Sequence, residues 1–327
     1  MAVPVPLSLL DLAIVRPGES FADALATSVQ LAQLAEASGY ARVWYAEHHN
    51  MARIASSATA VLIAHVAAHT RTIRLGAGGV MLPNHAPLVI AEQYGTLATL
   101  YPDRIDLGLG RAPGTDQATM RALRRDASTA DTFPDDVLEL QGYLRGRSLL
   151  PGVNAYPGAG TDVPLFILGS SLFGATLAAQ LGLPYAFASH FAPAALHEAT
   201  ALYREQFRPS AQLAAPYLIT AMNVIADDDT TAAEHQLEAV LRARVALVLP
   251  PGTEYTDEQA DEILASPHGE RLRQMMSCRA VGSGEQVSEQ VAEFARSTGA
   301  DEVIVSHPSP VAADRLRSVR LLGEHLR

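Results

Sequence analysis

The sequence predicts a (β/α)8 barrel, and three observations carry this prediction. The apolar residues alternate along the chain between strand-like runs and helix-like spacing, which gives eight strands, each followed by helix. The strands are short and continuously apolar, which is typical of a parallel sheet covered by helices. The first strand runs into IVRPGES, which lacks the glycine-rich fingerprint of a doubly wound dinucleotide-binding fold. We expect residues 1–327 to form one domain.

The first four strands lie in the first third of the chain. The N-terminus MAVPVPLSLLDLAIV is apolar but has no basic segment and contains two prolines, so it is interpreted as the first strand rather than a signal peptide. Ser20 can cap the first helix and Gly39 can end it. The predicted strands are 7–14, 41–45, 72–82 and 104–109, and the helices are 20–38, 57–69 and 87–100.

Two long connections interrupt the alternation, so we expect insertions after strands 4 and 7. The first, 111–163, contains a predicted helix at 134–145. The second includes 248–284, predicted as a Pro/Gly-rich turn followed by helix. The remaining predicted strands are 164–168, 184–189, 216–226 and 302–306, and the helices are 171–181, 193–207, one from about 230, 285–298 and 310–325.

Composition excludes several classes of function. The chain has 24 arginines and no lysine, which excludes Schiff-base enzymes and a standard P-loop. A phosphate must therefore be bound by arginine, backbone N–H groups or helix N-termini. The single cysteine, Cys278, excludes structural disulfides and multi-cysteine zinc sites and fits a cytoplasmic location. The net charge of −11 argues against nucleic acid and anionic membrane as partners.

The ends of strands four and five together indicate a phosphate site. Ligands of a barrel bind at the C-terminal ends of its strands. Arg111 follows strand four among glycines, and Gly169, Ser170 and Ser171 follow strand five at the start of a helix. A surface salt bridge would explain Arg111 alone, and a simple N-cap would explain Ser171 alone. Their position on neighbouring strand ends favours phosphate.

Gly78 and Gly79 interrupt the apolar third strand. Such a pair marks a bulge, or a place where a flat ligand packs against backbone. Close packing of a helix on the strand is the alternative. A ring lying against strand three, with its phosphate at strands four and five, would explain both features.

One of His48 and His49 is a candidate hydrogen-bonding or acid/base group at the mouth of the barrel, and a buried histidine with a purely structural role is the alternative. His48 and His49 are adjacent on an extended segment and point opposite ways, so they are poor joint metal ligands. His65 and His69 have i, i+4 spacing but lack the glutamate of an HExxH motif, and we interpret them as structural. We expect no metal site: a metal-dependent hydrolase would show histidines after strand one and often a carbamylated lysine.

Several stretches resemble the luciferase-like flavin monooxygenases, in particular the subgroup called luciferase family oxidoreductases of group 1. They include VWYAEHHNM, ASSATAVLIAHVAAHT, RLGAGGVMLPNHAPLVIAEQYGTLATLYPDRIDLGLGRAPGTD and LGSSLFGATLAAQLGLPYAFASHFAPAAL, which begin at residues 43, 55, 74 and 168. YREQFRPS and VGSGEQV, which begin at residues 203 and 281, also match. The match is weak over 248–280, which in the family contributes a mobile lid, and the loop after the last strand is atypical. These two regions leave the substrate open.

The resemblance implies roles for individual residues. His48 aligns with the catalytic histidine of the family, and His190 could line the same mouth. Arg111 aligns with the arginine that contacts the FMN phosphate, and Ser171 and Gly174 align with the rest of that site. Gly78 and Gly79 align with a cis peptide beneath the flavin ring.

The resemblance also implies an FMN-dependent monooxygenase that oxidises a small organic substrate with O2 through a C4a-peroxyflavin. No nicotinamide fingerprint is apparent, so FMNH2 is expected from a separate flavin reductase. An F420-dependent oxidoreductase and a non-catalytic flavin-binding protein stay open as alternatives. A homodimer is expected through the helices at 57–69 and 87–100.

Overall fold

The computed structural model describes residues 3–16, 18–112, 114–249 and 253–326. In this part of the chain the strands are β1 (Leu7–Asp11), β2 (Arg42–Tyr45), β3 (Arg74–Met81), β4 (Ile105–Gly110), β5 (Leu165–Gly169), β6 (Tyr185–Phe187), β7 (Leu218–Asp227), β8 (Arg279–Ser283) and β9 (Glu302–Ser306). The helices are α1 (Phe21–Ser38), α2 (Thr59–His69), α3 (Pro87–Leu100), α4 (Gln117–Ala122), α5 (Phe133–Leu144), α6 (Leu172–Leu181), α7 (Leu196–Gln206), α8 (Thr230–Arg244), α9 (Asp257–Leu264), α10 (Pro267–Met275), α11 (Gly284–Thr298) and α12 (Ala312–Gly323).

Eight parallel strands close into a barrel. Strands β1 to β7 pair in chain order, β7 pairs with β9, and β9 pairs with β1. Helices connect the strands and cover the outer surface, so the predicted (β/α)8 architecture is confirmed. The two insertions are also present: α4 and α5 lie between β4 and β5, and the segment from α8 to α11 lies between β7 and β9.

The strand β8 corrects the prediction for 248–284. Helical structure is present there as α9 and α10, but 279–283 is a strand and not helix. Among the described strands it pairs with the outer part of β7 alone, from Asn223 opposite Arg279 to Asp227 opposite Ser283. The part of β7 that pairs with β8 extends past the part that pairs with β9. This ninth strand therefore lies outside the closed barrel of eight strands and leaves it unchanged. Residues 250–252 of the predicted turn, and residues 1–2 of the apolar N-terminal segment, lie outside the described residues.

The predicted ends of the first helix are confirmed in atomic detail. The Ser20 side chain accepts a hydrogen bond from the Asp23 backbone, and the Asp23 side chain accepts one from the Ser20 backbone. Gly39 ends α1 with a φ of 86°, in the left-handed region that glycine adopts without a steric penalty. These caps fix where α1 packs on the barrel.

Charged side chains close the N-terminal end of the barrel interior. Arg42 lies between Asp106 and Glu302, with an Nη1–Oδ2 distance of 2.7 Å to Asp106 and an Nε–Oε1 distance of 2.9 Å to Glu302. Trp44 donates from its indole to Asp106 at 3.2 Å and packs edge-on against Phe166. The hydrogen bond to Asp106 fixes the Trp44 ring inside the barrel. The ring lines a cavity that opens at the C-terminal end of the barrel. No helix among the described residues is long and apolar enough to cross a bilayer.

Candidate active site

A cavity of about 320 Å3 opens at the C-terminal ends of the barrel strands. Its volume lies within the range of small-molecule sites. All nine residues predicted for the site line it: His48, Gly78, Gly79, Arg111, Gly169, Ser170, Ser171, Gly174 and His190. The deeper walls are apolar and come from inward-facing strand residues, including Leu10, Trp44, Leu168, Ala186 and Ile304. The cavity is therefore an apolar pocket with its polar groups at the rim.

The glycine pair of β3 forms part of the wall. The peptide bond between Gly78 and Gly79 is cis, as the family resemblance implies. The register between β3 and β4 shifts between Ala77 and Val80, so a bulge is present at the pair. A Cβ at Gly79 would lie 2.7 Å from the Gly108 carbonyl oxygen, and one at Gly78 would lie 2.9 Å from the Trp44 Cβ. Close contact with the neighbouring strands, rather than with a helix, therefore requires glycine at both positions. Both glycines also line the cavity.

The ends of β4 and β5 carry a cationic group and an uncapped helix. Arg111 is exposed, and its guanidinium lies 3.9 Å from the centroid of the Phe173 ring, which is a cation–π contact. Within the described part of the chain Arg111 forms no ion pair with a carboxylate, so a surface salt bridge does not account for it. Its charge is therefore available to an anion.

Ser171 occupies the N-cap position of α6, but its side chain does not cap the helix. The first turn of α6 also contains no acidic residue. Amide groups and the positive end of the helix dipole therefore face the rim beside Arg111, an arrangement that favours an anion. The Tyr185 hydroxyl donates to the Ser171 carbonyl at 3.1 Å and packs close to Gly174, which fixes this turn against β6.

His48 reaches the cavity from β2. It is half-buried, its backbone N–H donates to the Ser56 carbonyl at 3.1 Å, and its ring nitrogen Nδ1 is buried without a hydrogen-bond partner among the described residues. Burial lowers the pKa of His48, while the neighbouring Glu47 charge opposes that effect. At neutral pH the ring is therefore uncharged and can donate and accept hydrogen bonds. His49 does not line the cavity, because its side chain is hydrogen-bonded to Glu47.

His190 faces the same cavity from the end of β6, across the barrel from β2. Its ring packs edge-on against Phe191 at 4.9 Å, and its carbonyl accepts from the Asn223 side chain at 2.6 Å. Burial and the charge of Arg244 lower the pKa of His190 to about 3. Its Nδ1 is also buried without a partner in the described part of the chain. Two neutral imidazoles with free ring nitrogens therefore flank the cavity.

Two residues at the site are missing from the sequence prediction. Phe173 holds the Arg111 guanidinium in place, but in the sequence it is one apolar residue among many in an alanine-rich helix. Arg244 lies on the inward face of α8, four residues after the buried Val240, and its charge reaches His190. The periodicity of α8 could have indicated this placement, because a charged residue on an apolar stripe is unusual.

A sequence model of luciferase-like monooxygenases matches residues 11–302. The chain belongs to the luciferase-like monooxygenase family. A "Luciferase-like monooxygenase" of Escherichia coli (strain K12) is 50% identical over 309 residues, covering 92% of this chain and 91% of the relative. An N-acetyl-S-alkylcysteine monooxygenase of Bacillus subtilis (strain 168) is 32% identical, with 98% of each chain covered. This luciferase-like chain is accordingly a monooxygenase of that family.

Solved structures agree with the luciferase-like barrel. Apo-MsnO8 has a TM-score of 0.86 at 35% identity, with 98% of each chain covered. Two more distant structures show the shared fold alone. One is the oxygenating constituent of 3,6-diketocamphane monooxygenase in complex with FMN, with a TM-score of 0.70 at 16% identity. The other is an F420-dependent secondary alcohol dehydrogenase, with a TM-score of 0.71 at 16% identity. The fold thus occurs with both flavin and deazaflavin cofactors.

Proposed function

We propose that the protein is the oxygenating component of a two-component system. It binds reduced FMN and uses O2 to oxidise a small organic substrate. The observation that carries this proposal is the pairing of Arg111, which has no carboxylate partner in the described residues, with the uncapped N-terminus of α6 at the rim of an apolar cavity. A cofactor with a phosphate at one end and a flat apolar ring at the other fits that arrangement.

The chain's groups divide the binding of FMN between them. Arg111 and the first turn of α6 would hold the phosphate through charge and backbone N–H groups. The side-chain-free surface of Gly78 and Gly79 would receive the ring. When bound, reduced FMN supplies the electrons that activate O2.

The apolar walls and the two histidines would then perform the protein's part of the reaction. Leu10, Trp44 and Ile304 line the deep end of the cavity with apolar groups and would keep water away from the place where the substrate is oxidised. His48 would donate or accept a hydrogen bond through its free Nδ1, and thereby act as the acid/base group beside the ring. His190 would orient the substrate from the opposite side.

Electrons are expected from a separate flavin reductase. The first strand lacks a glycine-rich fingerprint for a nicotinamide cofactor, so FMNH2 would arrive from solution or by transient docking. The substrate would be a small organic molecule, in keeping with the volume of the cavity.

An assay with two reduced cofactors tests the proposal. Purified protein would receive either FMNH2 or reduced F420 under anaerobic conditions, followed by O2 and a panel of candidate aldehydes, sulfonates, alkanes, thioethers and aromatic compounds. We expect an oxygenated product with FMNH2 and none with reduced F420. Product formation with reduced F420 alone would favour the deazaflavin alternative. Oxygen uptake without product across the whole panel would favour a non-catalytic flavin-binding protein.

We also propose that two chains associate through α2 and α3. These helices expose large apolar side chains to solvent: Val61 is 71% exposed, Leu100 62% and Val89 44%. An exposed apolar surface of this kind is typical of an interface between protein chains. Light scattering should give twice the mass of one chain, and the substitution Val61→Arg should reduce it to the mass of one chain. A monomeric wild-type protein would contradict this proposal.

A further inference from the structure

The extended segment after β2 sends its side chains to two different places. His48 points into the cavity, whereas Glu47 and His49, on either side of it, share the opposite face because successive residues of an extended chain alternate. The Glu47 oxygen Oε1 lies 2.8 Å from the His49 Nε2. This second face has no part in the proposed flavin site.

His85 completes a three-residue cluster on that face. It follows the short turn after β3, and its Nε2 also lies 2.8 Å from the Glu47 Oε1. The three ligand atoms all lie within 4.8 Å of one another. Glu47 is only 1% exposed, while the side chains of His49 and His85 keep 18% and 28% of their surface accessible. The carboxylate is therefore buried, and the approach to it runs between the two imidazoles.

The chemistry of the cluster is that of a transition-metal site. Two imidazoles and one carboxylate, with one side open to solvent, form the ligand set of several catalytic zinc sites. The two imidazole nitrogens both lie 2.8 Å from the same carboxylate oxygen of Glu47, so all three ligand atoms converge on one point. Each imidazole can present an unprotonated Nε2 by carrying its proton on Nδ1.

We propose that Glu47, His49 and His85 bind one divalent transition-metal ion of the zinc class. The ion would join the loop after β2 to the loop after β3 at the rim of the active-site cavity. The loop after β4 is already tied to the same point, because Thr115 donates to the His49 carbonyl at 3.2 Å. A bound ion would therefore fix three neighbouring loops together.

A competing histidine pair lies elsewhere on the surface. His65 and His69 are exposed on α2, and their ring centroids are 4.6 Å apart. Among the described residues, no carboxylate or other metal-binding side chain joins this pair to make a group of three ligands. The Nδ1 of His69 is hydrogen-bonded to the His65 carbonyl at 2.8 Å. Replacing His65 and His69 therefore tests whether zinc binds to this surface pair instead of to the Glu47, His49 and His85 cluster.

Calorimetric titration with zinc chloride tests the proposal on the full chain, after chelation and without flavin. We expect one ion per chain in the wild-type protein and in the double variant His65→Ala/His69→Ala. The variant His85→Gln can still donate a hydrogen bond to Glu47 but replaces a good metal ligand with a poor one. We expect this variant to bind zinc at least about tenfold more weakly than the wild-type protein. Mutating a residue that merely hydrogen-bonds to a metal ligand already lowers metal affinity by about that factor, and His85 is itself a proposed ligand.

Thermal unfolding provides a second measurement. Zinc should raise the melting temperature of the wild-type protein and of the double variant by the same amount, and that of His85→Gln by less at the same zinc concentration, because the stabilisation grows with affinity for the folded state. Wild-type affinity in His85→Gln would overturn the proposal and leave the cluster as a hydrogen-bonded network. Loss of binding in the double variant alone would also overturn it and assign the ion to α2. Since no flavin is present, these outcomes are independent of the proposed oxygenation.

Discussion

The substitution Arg111→Ala tests the proposed phosphate site most sharply. The guanidinium is exposed, stacks on Phe173 and forms no ion pair with a carboxylate in the described residues, so its removal breaks no contact that the fold depends on. A hydrogen bond to a charged group contributes about 1.5–3 kcal/mol, which corresponds to a loss of about 10- to 100-fold in FMN affinity. Riboflavin has no phosphate, and its affinity should be unchanged.

The assay is a fluorescence titration of wild-type and variant protein with FMN and with riboflavin. Arg121→Ala on α4 is the matched control, because Arg121 is also exposed but does not line the cavity. High salt should reduce the difference between wild type and Arg111→Ala, since exposed charges are screened. Equal weakening of FMN and riboflavin by Arg111→Ala would refute the assignment of a phosphate to this position.

Three further predictions concern single residues of the site and of the fold. His48→Ala should lower turnover by about 10²- to 10⁴-fold while FMN affinity is retained, and normal turnover with FMNH2 would exclude an acid/base role. His307 is 1% exposed, and burial and the Arg315 charge lower its pKa to about 3. The unfolded chain therefore binds an additional proton as the pH falls from 6.5 towards 3, so stability should decrease over that window by up to about 1.4 kcal/mol per pH unit for this residue. Urea unfolding at several pH values should show a shallower slope in His307→Asn, and an identical slope would contradict the shift. Gly79→Ala should cost about 1–3 kcal/mol of stability because the added Cβ would meet the Gly108 backbone at 2.7 Å. Gly169→Ala is the control in the same urea experiment, because a Cβ at Gly169 would lie no closer than 3.4 Å to its neighbours.

Most of the barrel could be predicted because its strands are short, apolar and separated by helices. Periodicity locates such strands, and because ligands bind at their C-terminal ends, the residues that follow each strand are the candidates for the site. The strand β8 could not be found in this way. Arg279–Ser283 alternates between half-buried and buried positions over only five residues, and within the described part of the chain it pairs with nothing but the outer end of β7.

Side-chain partners were the harder part of the site to predict. The alternation of an extended segment separates His48 from His49, as expected, but it does not reveal that Glu47 and His49 meet His85. The signal was present in principle, because His85 follows the strand that pairs with β2. The position of Phe173 over Arg111 depends on side-chain conformations that no pattern in the sequence specifies.

A crystal structure of the FMN complex tests the central claim most directly. The proposal predicts the phosphate beside Arg111 and the first turn of α6, the ring against Gly78 and Gly79, and the two site histidines on either side of the bound molecule. A phosphate bound elsewhere, or a flavin outside the barrel mouth, would contradict the account.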